Sequence, residues 1–118
     1  MADAAWQINF YRRGNGSSPV EEWLDGLSNE ARAEIAWTLN LLKQHGIMLK
    51  KPYVAPIGEK MFEVRAKDSN GIYRILYFAH IDKTFMMLHG FTKKTAKTPR
   101  KDIEIAKKRM REVRDGRS

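Results

Sequence analysis

The apolar positions of this chain alternate in some segments and recur at helical spacing in others. Residues 6–10 alternate apolar and polar side chains, which is the period of a half-buried strand, and a Gly- and Ser-rich run over 14–18 ends it. Ser18 before Pro19 is typical of an N-cap followed by the first helical residue. The sequence therefore predicts a first strand and then a short helix to about Leu24.

A second helix is predicted between Ser28 as N-cap and Gly46 as C-cap. Its apolar residues recur every three or four positions and form one stripe: Ala31, Ile35, Leu39 and Leu42. The two helices would form a hairpin. Residues 47–60, which contain two prolines and a glycine, are predicted to be a loop that returns the chain to a sheet.

The segment from 61 to 91 has the composition of β-structure. Turn residues at 68–71 and 82–83 divide it into three antiparallel strands, predicted over 61–65, 72–79 and 85–91. The middle strand is apolar on both faces apart from Arg74, so we expect it to be central and covered by helices on one side.

A last helix is predicted to follow a polar, basic linker over 92–97. Thr98 is its expected N-cap and Pro99 its first residue. Its apolar stripe consists of Ile103, Ala106, Met110 and Val113. The predicted order β-α-α-β-β-β-α describes one domain of the α+β class over 1–118, with an antiparallel-rich sheet against an N-terminal helical hairpin, and we expect the last few residues to be disordered.

The composition of the chain bears on its cellular compartment and on its charge. The chain lacks cysteine, a signal-peptide pattern and any apolar stretch near the roughly 20 residues that span a bilayer, so we expect a cytoplasmic protein without membrane contact. The net charge is +8, and residues 93–118 carry eleven basic against four acidic side chains. Such a field attracts a polyanion or an acidic protein, although a solvated helix face explains it equally well.

Three segments, taken with the order of the elements, carry a resemblance over nearly the whole chain: Phe62-Glu63-Val64-Arg65, Ile72-Tyr73-Arg74-Ile75-Leu76-Tyr77-Phe78, and Leu88-His89-Gly90-Phe91-Thr92-Lys93-Lys94-Thr95-Ala96-Lys97-Thr98-Pro99. The third is the specific one, because a strand ending in Gly-Phe leads through lysines and Thr-Pro into a helix. In these features the chain resembles the phage-associated HigB-like toxins of the RelE/ParE superfamily, which belong to type II toxin-antitoxin systems.

The resemblance implies a RelE-like domain whose basic sheet surface meets mRNA in the ribosomal A site. The implied activity is an endoribonuclease that inhibits translation and arrests growth, and the implied partner is a cognate helix-turn-helix antitoxin. We expect no cofactor, nucleotide or metal, because the sequence contains neither a Gly-rich phosphate loop nor a metal-spaced His/Asp set.

RNA is cut without a metal when its own 2′-hydroxyl attacks the adjacent phosphorus, provided that the protein moves protons and stabilises the anionic transition state. Arg65 and Arg74 lie on neighbouring predicted strands and are our candidates for a bidentate grip on the scissile phosphate. Lys93, Lys94 and Lys97 would add charge. Taken without the resemblance, Arg65 and the lysines fit surface charges better than a binding site. Arg74 fits either an internal ion pair or, as we favour, a functional cleft, because an unpaired charge in an apolar strand is costly.

The general base stays open among three candidates. Glu63 shares a strand face with Arg65 and is either a base or, as we favour, its salt-bridge partner. His89 titrates near neutrality, but alternation places it with Met87 and Phe91 as a partly buried core residue. A lysine of the basic linker with a lowered pKa is the third candidate. Relatives place a histidine or tyrosine near the C-terminus, and this chain has neither there.

Further RNA-binding candidates are aromatic or basic. Phe91 and, less strongly, Tyr73 are candidates for stacking on a splayed base, and Arg100 and Lys101 would contact the backbone. The three tryptophans are predicted to be packing residues: Trp6, Trp23 and Trp37. Two other functions stay open, a ParE-like inhibitor that binds DNA gyrase without nuclease activity, and a non-toxic phage-derived binding module.

Overall fold

Five strands form one mixed sheet with helices on both faces in the computed structural model, which describes residues 5–93 and 97–116. Its elements are β1 (Gln7–Phe10), α1 (Pro19–Asp25), α2 (Asn29–His45), a 3-10 turn (Gly46–Met48), β2 (Val54–Gly58), β3 (Met61–Asp68), β4 (Gly71–His80), β5 (Thr84–Lys93) and α3 (Arg100–Arg114). The strand order is β1-β5-β4-β3-β2, in which only the β1–β5 pair is parallel. The predicted α+β class with an antiparallel-rich sheet is confirmed.

The caps of the helical hairpin lie where the sequence places them. Ser18 Oγ accepts a hydrogen bond from the backbone N–H of Glu21, and Ser28 Oγ accepts one from the N–H of Ala31. Gly46 ends α2 at a φ of +58°, a conformation that costs a glycine little. Serine hydroxyls therefore set both helix starts, and the backbone freedom of Gly46 sets the end of α2.

The central strand β4 contributes to two separate cores. Tyr73, Ile75 and Tyr77 pack beneath α1 and α2, whereas Leu76 and Phe78 pack beneath α3. The central position predicted for this strand is confirmed. The expectation that helices cover only one side is wrong, because the apolar stripe of α3 is buried against the second face.

The segment predicted to be a loop over 47–60 contains a strand. Val54 and Ala55 are buried, and β2 pairs antiparallel with β3 at the edge of the sheet. The sequence predicted a loop here because prolines are rare inside strands. An edge strand tolerates Pro56 because a proline there needs no ladder hydrogen bond on its outer side.

A β-bulge in β5 changes which side chains share a face. Leu76 of β4 pairs with His89, but the next residue, Tyr77, pairs with Met87, so Leu88 is extra in the ladder. Met87 therefore packs under the helical hairpin, while His89 lies against Phe91 and a residue of α3. The prediction from simple alternation that Met87 shares their face is wrong.

The last helix begins differently from the prediction. Pro99 occupies the N-cap, and Thr98 uses its hydroxyl to donate to Glu63 Oε1 at 2.8 Å instead of capping α3. The prediction of disorder at the C-terminus includes residues 117–118, which lie outside the described residues. Within the described ranges, no helix has the length and apolar character that crossing a membrane requires.

Gly90 lies where α1 contacts β5, and adding a methyl group there should destabilise the fold. An ideal Cβ at Gly90 would lie 2.3 Å from Trp23 Cε3, so the Trp23 ring or α1 must move. We expect Gly90→Ala to lower the free energy of unfolding by about 1–3 kcal/mol in urea denaturation, as overpacking does. Gly26→Ala is the matched control, because its Cβ meets only a carbonyl at 3.6 Å. Equal stability of both variants would contradict the close packing of α1 on β5.

Candidate active site

Strands β3, β4 and β5 gather charged residues on the face of the sheet that also carries α3. Arg65 lies directly opposite Arg74 in the β3–β4 ladder, and Glu63 precedes Arg65 by one strand repeat on the same face. Lys93 ends β5 and is close enough to interact electrostatically with Glu63 and both arginines. These four residues, Glu63, Arg65, Arg74 and Lys93, form the cationic cluster. The predicted convergence of Arg65, Arg74 and Lys93 is therefore present in the structure.

Glu63 is the buried carboxylate at the centre of the cationic cluster. It is 2% exposed and ion-pairs through Oε2 with Arg65, whose Nε and Nη2 both lie at 3.0 Å. The same oxygen lies 3.7 Å from Arg74 Nε, and Oε1 accepts the Thr98 hydroxyl. The interpretation of Glu63 as a salt-bridge partner of Arg65 is confirmed, and its partners extend to Arg74.

Arg74 is mostly buried and only partly satisfied. Its Nη1 donates to the Tyr73 carbonyl at 3.2 Å, whereas its buried Nε finds no hydrogen-bond partner among the described residues. Burial lowers its pKa, the Glu63 carboxylate opposes that effect, and Arg65 lowers the pKa further. A guanidinium has five N–H donors, so Arg74 keeps unused hydrogen-bonding capacity for an anion.

Lys93 is buried, in contrast to the solvated linker residue that the sequence suggested. Strand β5 extends through Lys93 instead of ending at Phe91, and the lysine is 7% exposed. The pKa of the Lys93 ammonium is lowered, mainly by burial and then by the positive charge of Arg74. Glu63 acts in the opposite direction, and Arg65 adds a smaller lowering effect. Among the described residues of the basic linker, Lys93 thus has a lowered pKa, because burial and a cationic neighbour both disfavour its protonated form.

The other predicted basic residues lie on the surface or outside the described part. Lys97, Arg100 and Lys101 are exposed around the start of α3. Lys94 lies outside the described residues. Lys101 still lies near enough to His89 to lower the pKa of that ring. Lys97, Arg100 and Lys101 widen the basic field around the cluster without entering its buried part.

His89 has partners of its own beneath α3. Its Nε2 lies 2.6 Å from Asp102 Oδ1, and Arg109 Nη1 lies 3.4 Å from Nδ1 and also donates to the Leu88 carbonyl. Burial lowers the pKa of His89, with Asp102 opposing. A neutral ring that donates from Nε2 to Asp102 and accepts at Nδ1 satisfies both contacts. His89 therefore fits the core-histidine interpretation.

Sequence reasoning missed two polar partners in this region, Thr98 and Asp102. Asp102 is buried and occupies the same stripe as Ala106, Met110 and Val113, at spacings of four, four and three. A carboxylate on an apolar stripe signals a buried partner, and that signal was available in the sequence. Thr98 gave no such signal, because its position also suits an N-cap.

The two aromatic candidates for base stacking, Phe91 and Tyr73, lie on opposite faces of the sheet. Phe91 is 9% exposed and stacks on His89 with ring centroids 5.6 Å apart, so little of its ring is open to a base. Tyr73 lies on the opposite face, where its hydroxyl donates to Asp68 and its ring meets Trp23. The structure therefore does not bring Tyr73 to the cationic cluster, because alternation along β4 directs it away from Arg74.

Two of the three tryptophans pack as predicted and the third does not. Trp6 stacks on Phe85 at 4.2 Å, and Trp23 lies against Gly90. Trp37 is 54% exposed, so its prediction as a packing residue is wrong. The sequence pattern predicted that Trp37 lies on a helix, but it did not show which face of the helix carries the residue.

Comparison with known proteins places the chain in a family. The family of phage-derived Gp49-like proteins matches residues 22–111, which is more than half of the chain and includes all four residues of the cationic cluster. The chain belongs to this family. No curated protein matches it. Membership of a phage-derived family fits a toxin-like module, which agrees with the phage-associated, toxin-like character that the sequence resemblance implies.

Proposed function

We propose that this protein is the toxin of a type II toxin-antitoxin system and that it cleaves mRNA on the ribosome in the cytoplasm. The observation that carries the proposal is the cationic cluster, in which three cations surround a single buried carboxylate. The excess is two positive charges with Lys93 protonated and one with Lys93 neutral, and in either state it can be offset by an anionic group from a ligand. A scissile phosphate supplies it, and the resemblance to HigB-like toxins supplies the substrate class.

Arg74 and Arg65 are the groups that hold the phosphate in this proposal. The Nε of Arg74 has no hydrogen-bond partner among the described residues, and the Arg65 side chain is about one-third exposed although it pairs with Glu63. Glu63 fixes both guanidinium groups in place before RNA arrives. Preorganised donors stabilise the extra negative charge that develops on the phosphorane oxygens in the transition state.

Lys93 is the proposed proton acceptor. Its lowered pKa makes the neutral amine more populated than in an ordinary lysine, and this amine takes the proton from the 2′-hydroxyl as that oxygen bonds to phosphorus. The bond from phosphorus to the 5′-oxygen then breaks on the opposite side, where water protonates the leaving oxygen, and the Lys93 ammonium releases its proton to solvent. The products are a 2′,3′-cyclic phosphate and a 5′-hydroxyl, so this chain needs no C-terminal histidine or tyrosine for proton transfer.

The substitution Lys93→Arg tests the proton-transfer role, because arginine keeps the positive charge but does not lose its proton near neutral pH. We expect the variant to cleave ribosome-bound mRNA about 100-fold more slowly than the wild-type protein. The wild-type rate should rise with pH until Lys93 is neutral, whereas the variant should lack this rise. Lys43→Arg, at an exposed position of α2, is the control and should keep the wild-type profile. An unchanged rate in Lys93→Arg would exclude Lys93 as the acceptor.

The cognate antitoxin is proposed from the resemblance as a small helix-turn-helix protein. Inhibition of the purified toxin by the product of an adjacent small gene would support this pairing. An adjacent product that leaves the toxin active would exclude itself as the antitoxin.

Inducible expression in bacteria tests the activity. The proposal predicts growth arrest together with new mRNA 5′ ends inside translated regions. Growth arrest with chromosome breaks and without new mRNA ends would favour a ParE-like gyrase inhibitor. Normal growth with intact mRNA would favour a binding module.

A further inference from the structure

An open groove of about 430 Å³ lies next to the cationic cluster, at the edge of the sheet. It forms because β2 pairs with β3 only as far as Val64, with one further hydrogen bond from the Arg65 N–H to the Tyr53 carbonyl. Beyond that point α2 faces the exposed edge of β3 across the groove. Its volume is in the range of small-ligand sites, about 300–1,000 Å³.

Two aromatic side chains line one wall of the groove. Trp37 of α2 is 54% exposed, and its ring meets Tyr53 edge to face with centroids 5.8 Å apart. Tyr53 thus holds the indole from one edge and leaves most of its surface to solvent. The exposed indole, held against a second aromatic ring in the wall of a groove, presents a flat apolar surface on which a planar ligand can stack.

The opposite side of the groove is positively charged. Of the described residues that line it, Arg65, Lys67 and Arg74 are cationic, whereas Glu34 is acidic. Arg65 and Arg74 also belong to the cationic cluster, so the groove and the cluster form one continuous surface. Flat rings beside a line of cations match a single-stranded nucleic acid, whose bases stack and whose phosphates are anionic.

We infer that this groove is a base-stacking subsite for single-stranded RNA, in which Trp37 stacks on a nucleobase adjacent to the scissile phosphate. Tyr53 supports the indole, and Lys67 binds the phosphate that follows. The inference rests on the proposed function only in placing the scissile phosphate at Arg65 and Arg74. Stacking on an aromatic side chain is tolerant of base identity, so the subsite should position RNA more than it selects sequence.

Tryptophan fluorescence tests the subsite independently of cleavage. A short single-stranded DNA oligonucleotide has no 2′-hydroxyl and serves as an uncleavable probe. We expect the oligonucleotide to quench the tryptophan fluorescence of the wild-type protein and to quench that of Trp37→Phe much less. In a second measurement, the anisotropy of a labelled oligonucleotide, we expect Trp37→Ala to bind about tenfold more weakly. Trp37→Phe should retain most of the affinity. The control Ile81→Ala removes an exposed apolar residue just after the far end of β4, and this variant should bind the probe as the wild type does.

Cleavage assays separate failure of the subsite from failure of the proposed function. If the protein cleaves ribosome-bound mRNA, Trp37→Ala should need about tenfold more protein for half-maximal rate while its maximal rate is unchanged. Wild-type concentration dependence in Trp37→Ala would overturn the subsite and leave the nuclease intact. Quenching of Trp37 by the oligonucleotide in a protein that cleaves nothing would support the subsite and reject the nuclease. Quenching by an acidic peptide but not by the oligonucleotide would overturn the subsite in favour of a protein-binding groove.

Discussion

Arg74→Lys is expected to lower the rate of ribosome-dependent mRNA cleavage about 100- to 1,000-fold, the usual loss for a transition-state donor. Lysine keeps a positive charge next to Glu63 but loses the planar fork and the additional N–H donors of Arg74. Saturating the variant with substrate should not restore the rate, because the lost interaction is made mainly in the transition state. Single-turnover cleavage on programmed ribosomes measures this directly.

The matched control is Arg111→Lys, the same chemical change at an exposed position of α3. It should leave the cleavage rate at the wild-type value, and both variants should retain the wild-type circular dichroism spectrum. Equal activity of Arg74→Lys and Arg111→Lys would remove Arg74 from the active site.

Glu63→Ala is expected to cost about 3–5 kcal/mol of the free energy of unfolding, as breaking a buried ion pair does. The substitution removes the shared partner of Arg65 and Arg74 and leaves the Thr98 hydroxyl without its acceptor. The repulsion between Arg74 and Lys93 would then lack its counterion. A loss of this size is a large part of the stability of an ordinary small domain, about 5–15 kcal/mol.

Two further variants make this stability prediction specific. Glu63→Gln keeps the size of the side chain and a hydrogen-bond acceptor for Thr98, so it should fall between the wild type and Glu63→Ala in urea denaturation. Glu104→Ala removes a carboxylate that is 52% exposed and pairs with Lys107 at 3.7 Å, and should change stability by less than about 1 kcal/mol. Similar losses in Glu63→Ala and Glu104→Ala would show that the buried carboxylate does not hold the cluster together.

The predictable parts of the fold were those that local chemistry determines. Ser18 and Ser28 cap their helices through their own hydroxyls, and Asp82 and Lys83 take positive φ values of 56° and 53° in the predicted reversal. The apolar stripes of α2 and α3 face the sheet as their spacing indicates. Each of these features depends on residues a few positions apart, so a single sequence contains the necessary information.

The parts that were missed depend on contacts between distant residues. The strand at Val54–Gly58 exists because β3 offers it a partner, and the extra residue at Leu88 is visible only once β4 and β5 are paired. The burial of Lys93 likewise follows from its neighbours on β3 and β4. Sequence alone predicted that Arg65 and Arg74 meet and that Glu63 pairs with Arg65, because neighbouring strands and a shared strand face suffice for that. It did not predict that Glu63 also pairs with Arg74 or that Trp37 stays exposed.

The termini of the cleaved mRNA provide the most direct test of cleavage by the cationic cluster. Purified protein and programmed ribosomes should yield an upstream fragment that ends in a 2′,3′-cyclic phosphate and a downstream fragment with a 5′-hydroxyl, and a single 2′-deoxynucleotide at the cut position should prevent cleavage. Intact mRNA, or fragments with a 3′-hydroxyl and a 5′-phosphate, would contradict attack by the RNA's own hydroxyl at Arg65, Arg74 and Lys93.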